Sequence, residues 1–471
     1  LILAVVGWGF PGRFQETGTV HHDKGTNYIA RELARLGLRP GGDSGTYFQR
    51  LPIVNRSLTA STRLVVDGRE FSSGRDVVLR DAIDFGMRGK TLANVPAVYG
   101  GAFGDAGSMI TPEQAAGKVI VFSVPVGWQA SRGPLTERYL DAAAIVIARL
   151  DSVPPDMRQE LAKPSTTMAG LAPNGEVPNY FYVTHAVAEA MLGRSLASAS
   201  AGMAGKSVSA TVEYVETPSP GARNVIAILP GSDSRLRGQY VSIGAHSDHD
   251  GMGAPVDHDS LYAFYHVVRP NGADDGDKAA TDADLPKISA LLDSLRRTRS
   301  SRRDSIYNGA DDDASGSMGL LEVAEAFATA REKPKRSILF VWHVAEEQGM
   351  VGSRYFTDNP TVPRDSIVAN INIDMIGRGG AAHLPGGGPG YLQHIGARRL
   401  TTELGDIVEA EGKKFNPAFR FDYQFDANGH PQQFYCRSDH YMYARYGIPV
   451  VFMSTGGHAE YHQVTDEPQY L

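Results

Sequence analysis

The rhythm of apolar and polar positions changes twice along the chain. Residues 26–38 repeat apolar side chains at helical spacing and meet a stop signal at Gly37, which predicts an amphipathic helix. Residues 47–54 then read as a strand. From about 76 to 215 the pattern becomes short β-rich runs, KVIVFSV at 118–124, the apolar stretch 142–148 and YFYVT at 180–184, separated by Gly- and Pro-punctuated turns. An Ala/Ser/Gly-rich stretch at 196–209 reads as the exit from this region. Beyond residue 224, strand-like runs at 225–229, 240–245, 337–342, 368–373 and 449–453 are interleaved with helical stretches such as 316–331. Strands alternating with helices predict an α/β unit, a mixed central sheet between helix layers. The expected division is 1–75 and 216–471 for this larger unit, with 76–215 as a small β-rich domain inserted into it. A polar segment at 252–307 reads as a surface insertion, with a short helix at 285–295.

Composition narrows the classes. At 471 residues and 42% hydrophobic content, the chain can bury a large core and more than one compact unit. Its formal net charge of -7 does not suit a nucleic-acid partner. The single cysteine, Cys436, excludes intrachain disulfides and Cys-rich zinc modules. The apolar run at residues 1–6 is too short to span a membrane. No leader is visible, and an extracytoplasmic compartment, secreted or periplasmic, is the expectation.

Five short segments carry candidate chemistry, each just after a predicted strand or at a strand-to-helix turn. Open sheets of this kind form their sites there. His246 ends an apolar strand in AHSDHDG, with Asp248 two residues on as a carboxylate able to fix an imidazole. GADDDASG at 309–316 opens a helix; its aspartates either cap that helix or supply a carboxylate that bridges metals. A similar string, NGADDG at 271–276, lacks the small-residue turn and following apolar helix, and is set aside. Glu346 and Glu347 follow a hydrophobic strand side by side. Adjacent carboxylates at a strand end are costly without a cation or proton between them. Such a pair can divide labour, one ligating a metal and one serving as a base. Asp374 ends a strand in INIDMIG, where turn formation is the plainer role. His462 lies in YHQVTD after the last strand, with His458 as a competing candidate. Nitrogen and oxygen donors of this kind suit zinc, and a shared carboxylate suits a two-metal hydrolase.

These motifs, in this order, resemble the M28 family of metallopeptidases with a protease-associated domain inserted in the catalytic domain. The resemblance implies a zinc exopeptidase-like fold, two zinc ions, and hydrolysis of the N-terminal bond of a peptide substrate. It implies that one metal is held by His246, Asp312 and Asp374, and the other by Asp312, Glu347 and His462. Glu346 would then be the general base, Asp248 the orienting partner of His246, and Tyr461 an aid to the oxyanion. The same scaffold also carries carboxypeptidase-type and glutaminyl-cyclase-type relatives, as well as non-catalytic receptors. The long insertion after His246 departs from shorter members.

Overall fold

The computed structural model describes residues 20–80, 90–103, 107–124, 138–153, 165–169, 178–218, 221–276, 278–380, 387–415 and 417–471. The apolar run at residues 1–6 lies outside them. The chain forms two compact units, Leu1–Leu51 with Pro220–Leu471, and Pro52–Ser219.

The larger unit is built on a nine-stranded sheet. Its strands, in chain order, are β1 (Arg39–Pro40), β2 (Phe48–Arg50), β3 (Arg223–Leu229), β4 (Tyr240–His246), β5 (Ser337–His343), β6 (Ile367–Ile373), β7 (Tyr391–Ile395), β8 (Arg420–Asp422) and β9 (Val450–Ser454). The spatial order is β1-β3-β5-β4-β6-β9-β7-β8, with β2 also paired to β3. β5, β4, β6 and β9 run parallel at the centre. β3 and β7 pair antiparallel on either side of that block, which makes the sheet mixed.

Both faces of the sheet are covered, so its central strands are apolar without a break. On β5, Ile338, Phe340 and Trp342 face a core shared with Leu33 and with Leu320. Those two residues belong to the helices α1 (Val20–Arg35) and α4 (Gly316–Thr329). Leu339 and Val341 face the opposite core, with Phe356 and Tyr443. These come from α5 (Val351–Asp358) and α7 (His440–Ala444). Two further helices, α2 (His258–Val268) and α3 (Leu285–Thr298), lie between the paired strands Gly251–Asp257 and Arg303–Tyr307. A last helix, α6, spans Glu403–Gly412.

The smaller unit has an eight-stranded and a three-stranded sheet around its own core, which includes Val121, Val146 and Val208. It opens before residue 76. The run expected as one strand at 47–54 is divided: Phe48–Arg50 joins the large sheet, and Ile53–Leu58 pairs inside the smaller unit. Pro52 sits between them and has no N–H to extend a ladder. The stretch expected as an exit instead carries Ala204–Val212, an interior strand paired to Arg63–Val66 and Lys90–Ala102. Its alternating Val208, Ala210 and Val212 are buried. The strands β7 and β8 were not expected, because each is short and mixed in polarity.

The turn after β5 is fixed to the sheet by one buried side chain. Asn224 accepts the Val344 N–H at 3.0 Å and donates to the Gly352 carbonyl at 3.0 Å. Gly352 is pressed so closely there that a Cβ would lie 2.2 Å from the Val344 carbonyl oxygen. Gly352→Ala should therefore destabilise the fold by about 2–3 kcal/mol, by overpacking against backbone that cannot yield. A denaturant melt with unchanged slope and a lowered midpoint is the expected reading.

Candidate metal centre

The parallel register brings the chemistry to one edge of the sheet. His246, at the end of β4, lies opposite His343 at the end of β5. Asp374 directly follows β6, Glu346 and Glu347 follow β5 by three and four residues, and His462 lies in the loop after β9. Asp312 comes from the turn Ala310–Ser315 that leads into α4, and its peptide bond to Asp313 is cis.

Asp312 stands between the two imidazoles. Its Oδ1 is 3.0 Å from His246 Nε2, and its Oδ2 is 3.0 Å from His462 Nε2. His246 Nε2 also lies 3.7 Å from Asp374, and His462 Nε2 lies 3.0 Å from Glu347 Oε2. Although two carboxylate oxygens are that close, His462 Nε2 has no aligned hydrogen-bond partner among the described residues. A ring nitrogen and carboxylate oxygens that converge without pairing are the arrangement expected of ligands around a cation. Glu346, His246 and Glu347 each offer a ligand atom within 4.8 Å of the others.

Neighbouring groups hold these side chains in place. Asp313 accepts the N–H groups of His246, Gly316 and Met375, which ties together three segments that bear candidate ligands. Asp466 accepts the Asp311 and Asp312 N–H groups. Ser438 donates to Asp374 at 2.7 Å. The second nitrogen of His246 meets the backbone carbonyl of Asp248 at 3.1 Å and its carboxylate only at 3.7 Å. That carboxylate accepts the Glu346 N–H instead, so Asp248 links the first ligand segment to the glutamate pair. Ala345, Met375 and His462 all have positive φ near 55–57°. Non-glycine residues in this region cost energy and persist where the surroundings over-determine them.

The protein groups strongly perturb one another. Burial alone would discharge His246 and His462. Facing carboxylates, Asp374 for the first and Glu347 for the second, raise both well above the usual imidazole range. Burial and Asp312 push Glu347 up, but His462 and His249 outweigh them and hold it at about 2. For Glu346 the balance falls the other way. Burial holds its proton well above the usual range, helped by Glu347, Asp439 and Asp374 and opposed by His246.

All six residues expected as ligands or base meet here, whereas His458 does not. It is engaged with Asp311 and Glu460. His249 was missed. Its Nδ1 is 2.6 Å from Glu347 Oε1, and it forms a group of possible ligands with Asp312, Glu347 and His462. Its signal was the second histidine in AHSDHDG, three residues after the first. Asp274, in the string set aside, lines the adjoining pocket. No local signal marks it, because its place is set by a contact across the fold.

That pocket encloses about 490 Å³, its open mouth included, and Asp312, Glu346, Glu347 and Asp374 form an acidic wall. Met375, Phe434 and Phe452 supply apolar surface, and Tyr461, Arg437, Gly456 and Gly457 are also among the lining. Tyr443 and Met453, near the same motifs, are not among the lining, and Tyr443 is fully buried in the core.

A family model for peptidase family M28 matches residues 224–471, and the chain belongs to that family. It is 29% identical over 172 residues to leupeptin-inactivating enzyme 1 of Streptomyces exfoliatus, a match covering 36% of this chain and 34% of that one. It is 30% identical over 152 residues to leucine aminopeptidase 2 of Trichophyton equinum, covering 31% and 28%. The match thus spans about a third of the length of these curated relatives. Among solved structures, an aminopeptidase from Aneurinibacillus sp. strain AM-1 aligns over 99% of this chain and 86% of its own. The TM-score is 0.49 at 15% identity.

Proposed function

We propose that this chain is a di-zinc aminopeptidase. The observation that carries the metal reading is the convergence of His246, Asp312, Asp374, Glu347 and His462, with Asp312 3.0 Å from each imidazole. One zinc would be held by His246, Asp312 and Asp374, and the other by Asp312, Glu347 and His462. When bound, the ions supply Lewis acidity that makes a water deprotonable near neutral pH and offsets charge growing on the scissile carbonyl oxygen. Glu346 takes the proton of the attacking water and returns it to the leaving amine. Its place on the pocket wall beside Asp312 and Asp374 suits that role. Tyr461 accepts a hydrogen bond from Arg437 at 3.0 Å, so its own proton is available to a developing oxyanion.

The choice of chain end rests on the arginines. A carboxypeptidase needs a cation free to take a substrate carboxylate. Arg378 is buried against Glu460 at 2.8 Å, with Asp466 at 3.6 Å. Arg437 is engaged by both oxygens of Asp274. The pocket is lined by five carboxylates, among them Asp274, and Arg437 is the single basic residue among the described lining residues. That balance favours a substrate's α-ammonium group. Phe434, Phe452 and Met375 then offer an apolar seat for the first side chain. The name leucine aminopeptidase carried by one relative agrees with this reading. An intact donor set also separates the chain from a receptor-type relative.

We further propose that Pro52–Ser219 corresponds to the protease-associated domain, on the strength of the runs at 118–124 and 142–148. They form paired parallel strands, Val119–Ser123 and Ala144–Ala148. An extracytoplasmic location belongs to the same proposal. Among the described residues no helix is long and apolar enough to cross a membrane.

Three measurements test the reading. Glu346→Gln is expected to retain wild-type zinc content while losing about a hundredfold or more in turnover of an amino-acid amide. Near-normal turnover by that variant would remove Glu346 as the base. Zinc analysis should give two ions for the wild type, loss at both sites in Asp312→Ala, and loss of mainly one in His462→Ala. Gly457 lines the pocket, and a Cβ built on it meets nothing within 4 Å. Gly457→Val should fold normally and depress kcat/KM for leucine substrates by roughly tenfold or more, while alanine substrates are largely spared.

A further inference from the structure

Among the described residues, the insertion between His246 and the aspartate turn reaches the pocket at Asp274. Its short turn Gly272–Asp275 sits directly on the loop that carries His462. Ala273 donates its N–H to the Tyr461 carbonyl at 3.1 Å. Gly272 has φ +59°, and a Cβ there would stand 2.5 Å from that same carbonyl oxygen and 2.7 Å from the Tyr461 Cβ. This approach leaves no room for any other residue at 272.

The contact delivers Asp274 to the pocket wall. Its Oδ2 accepts Arg437 Nη1 and its Oδ1 accepts Nη2, each at 3.0 Å, the forked geometry in which a guanidinium and a carboxylate fit best. Each terminal nitrogen also makes a second contact. Nη1 reaches Gln432 at 3.4 Å, and Nη2 donates to the Tyr461 hydroxyl at 3.0 Å. The group also lies over the Phe434 ring, 4.8 Å from its centroid. Arg437 and Asp274 are largely buried, with 9% and 16% of their side chains exposed. Tyr461 in turn packs on the His462 imidazole, ring centroids 4.2 Å apart.

We propose that Asp274 is a positioning residue for the reaction: held by the insertion, it fixes Arg437, and Arg437 fixes the Tyr461 hydroxyl so that its proton faces the pocket. This rests on the aminopeptidase reading and on the part given there to Tyr461. Asp274 acts through its neighbour and not on the reacting atoms. The same pairing occupies the one cation among the described lining residues that a substrate carboxylate would seek. The insertion thus contributes both to rate and to the rejection of acidic N-terminal residues.

Asp274→Asn keeps the side-chain shape and removes the charge. With zinc content equal to wild type, kcat on leucine amide should fall about 10- to 100-fold, the usual effect of removing a group that orients another. KM should change less. Joined to Tyr461→Phe, the substitution should cost nothing beyond what Tyr461→Phe costs alone. Relative kcat/KM for aspartyl over leucyl substrates should rise. Wild-type kcat in Asp274→Asn overturns the proposal, as do losses that multiply in the double variant. Arg437→Gln cuts the same link from the other side should the first variant fail to fold. It is expected to match the kcat loss, and wild-type kcat there overturns the proposal equally. A crystal structure of Asp274→Asn gives a readout independent of turnover: a guanidinium displaced from Tyr461 supports the link, and an unmoved Arg437–Tyr461 pair sinks it. A wild-type enzyme inactive on leucine amide would strike the aminopeptidase reading alone, because the structural readout does not depend on it.

Discussion

The constraint on which the molecule turns is a concentration of negative charge where water is scarce. Asp248, Asp312, Asp313, Glu346 and Asp374 are all at most 9% exposed, within one small region at the sheet edge. Like charges at such spacing cannot all remain ionised in a protein interior unless cations or protons lie among them. Two imidazoles offset part of the charge, and burial among the other carboxylates raises the affinity of Glu346 for a proton, as a base requires. The fold must hold this assembly against its own repulsion. It does so by turning the second ring of carboxylates inward onto backbone N–H groups. Asp313, Asp466 and Asp248 each accept from segments that carry ligands. The cluster is therefore braced by groups that do not share its proposed chemistry.

The same strain is visible in the backbone. Left-handed conformations at Ala345, Met375 and His462 occur within one residue of Glu346, of Asp374 and at a proposed ligand itself. The rigid apolar sheet below supplies the reference frame. β5 is buried along its whole length and packs a core on each face, so the ends of the central strands are fixed relative to one another.

Much of this is legible in the chain alone, because strand ends are where local sequence and chemistry coincide. An apolar run that stops at His246, at Asp374 or just before Glu346 announces both a strand and the functional side chain at its end. The illegible parts depend on distance in space. The break at Pro52 divides the early strand between two units, although its apolar pattern runs on through the break. Residues 204–212 look like a linker, since small residues hide an interior strand when their partners are remote. β7 and β8 are too short to show a period. NGADDG lacks the setting of a metal ligand, yet setting it aside also hides Asp274. Its importance comes from Arg437, which nothing in its neighbourhood predicts.

That last pair also bears on how the molecule assembles. Asp274 and Arg437 are 163 residues apart in the chain. Contacts of such high sequence separation return nothing until most of the intervening structure has been ordered. The sheet and its two cores can gain their stability from burial alone, without the wall that the insertion brings. A chain whose insertion came loose would therefore keep the sheet and both cores while losing the wall at Asp274.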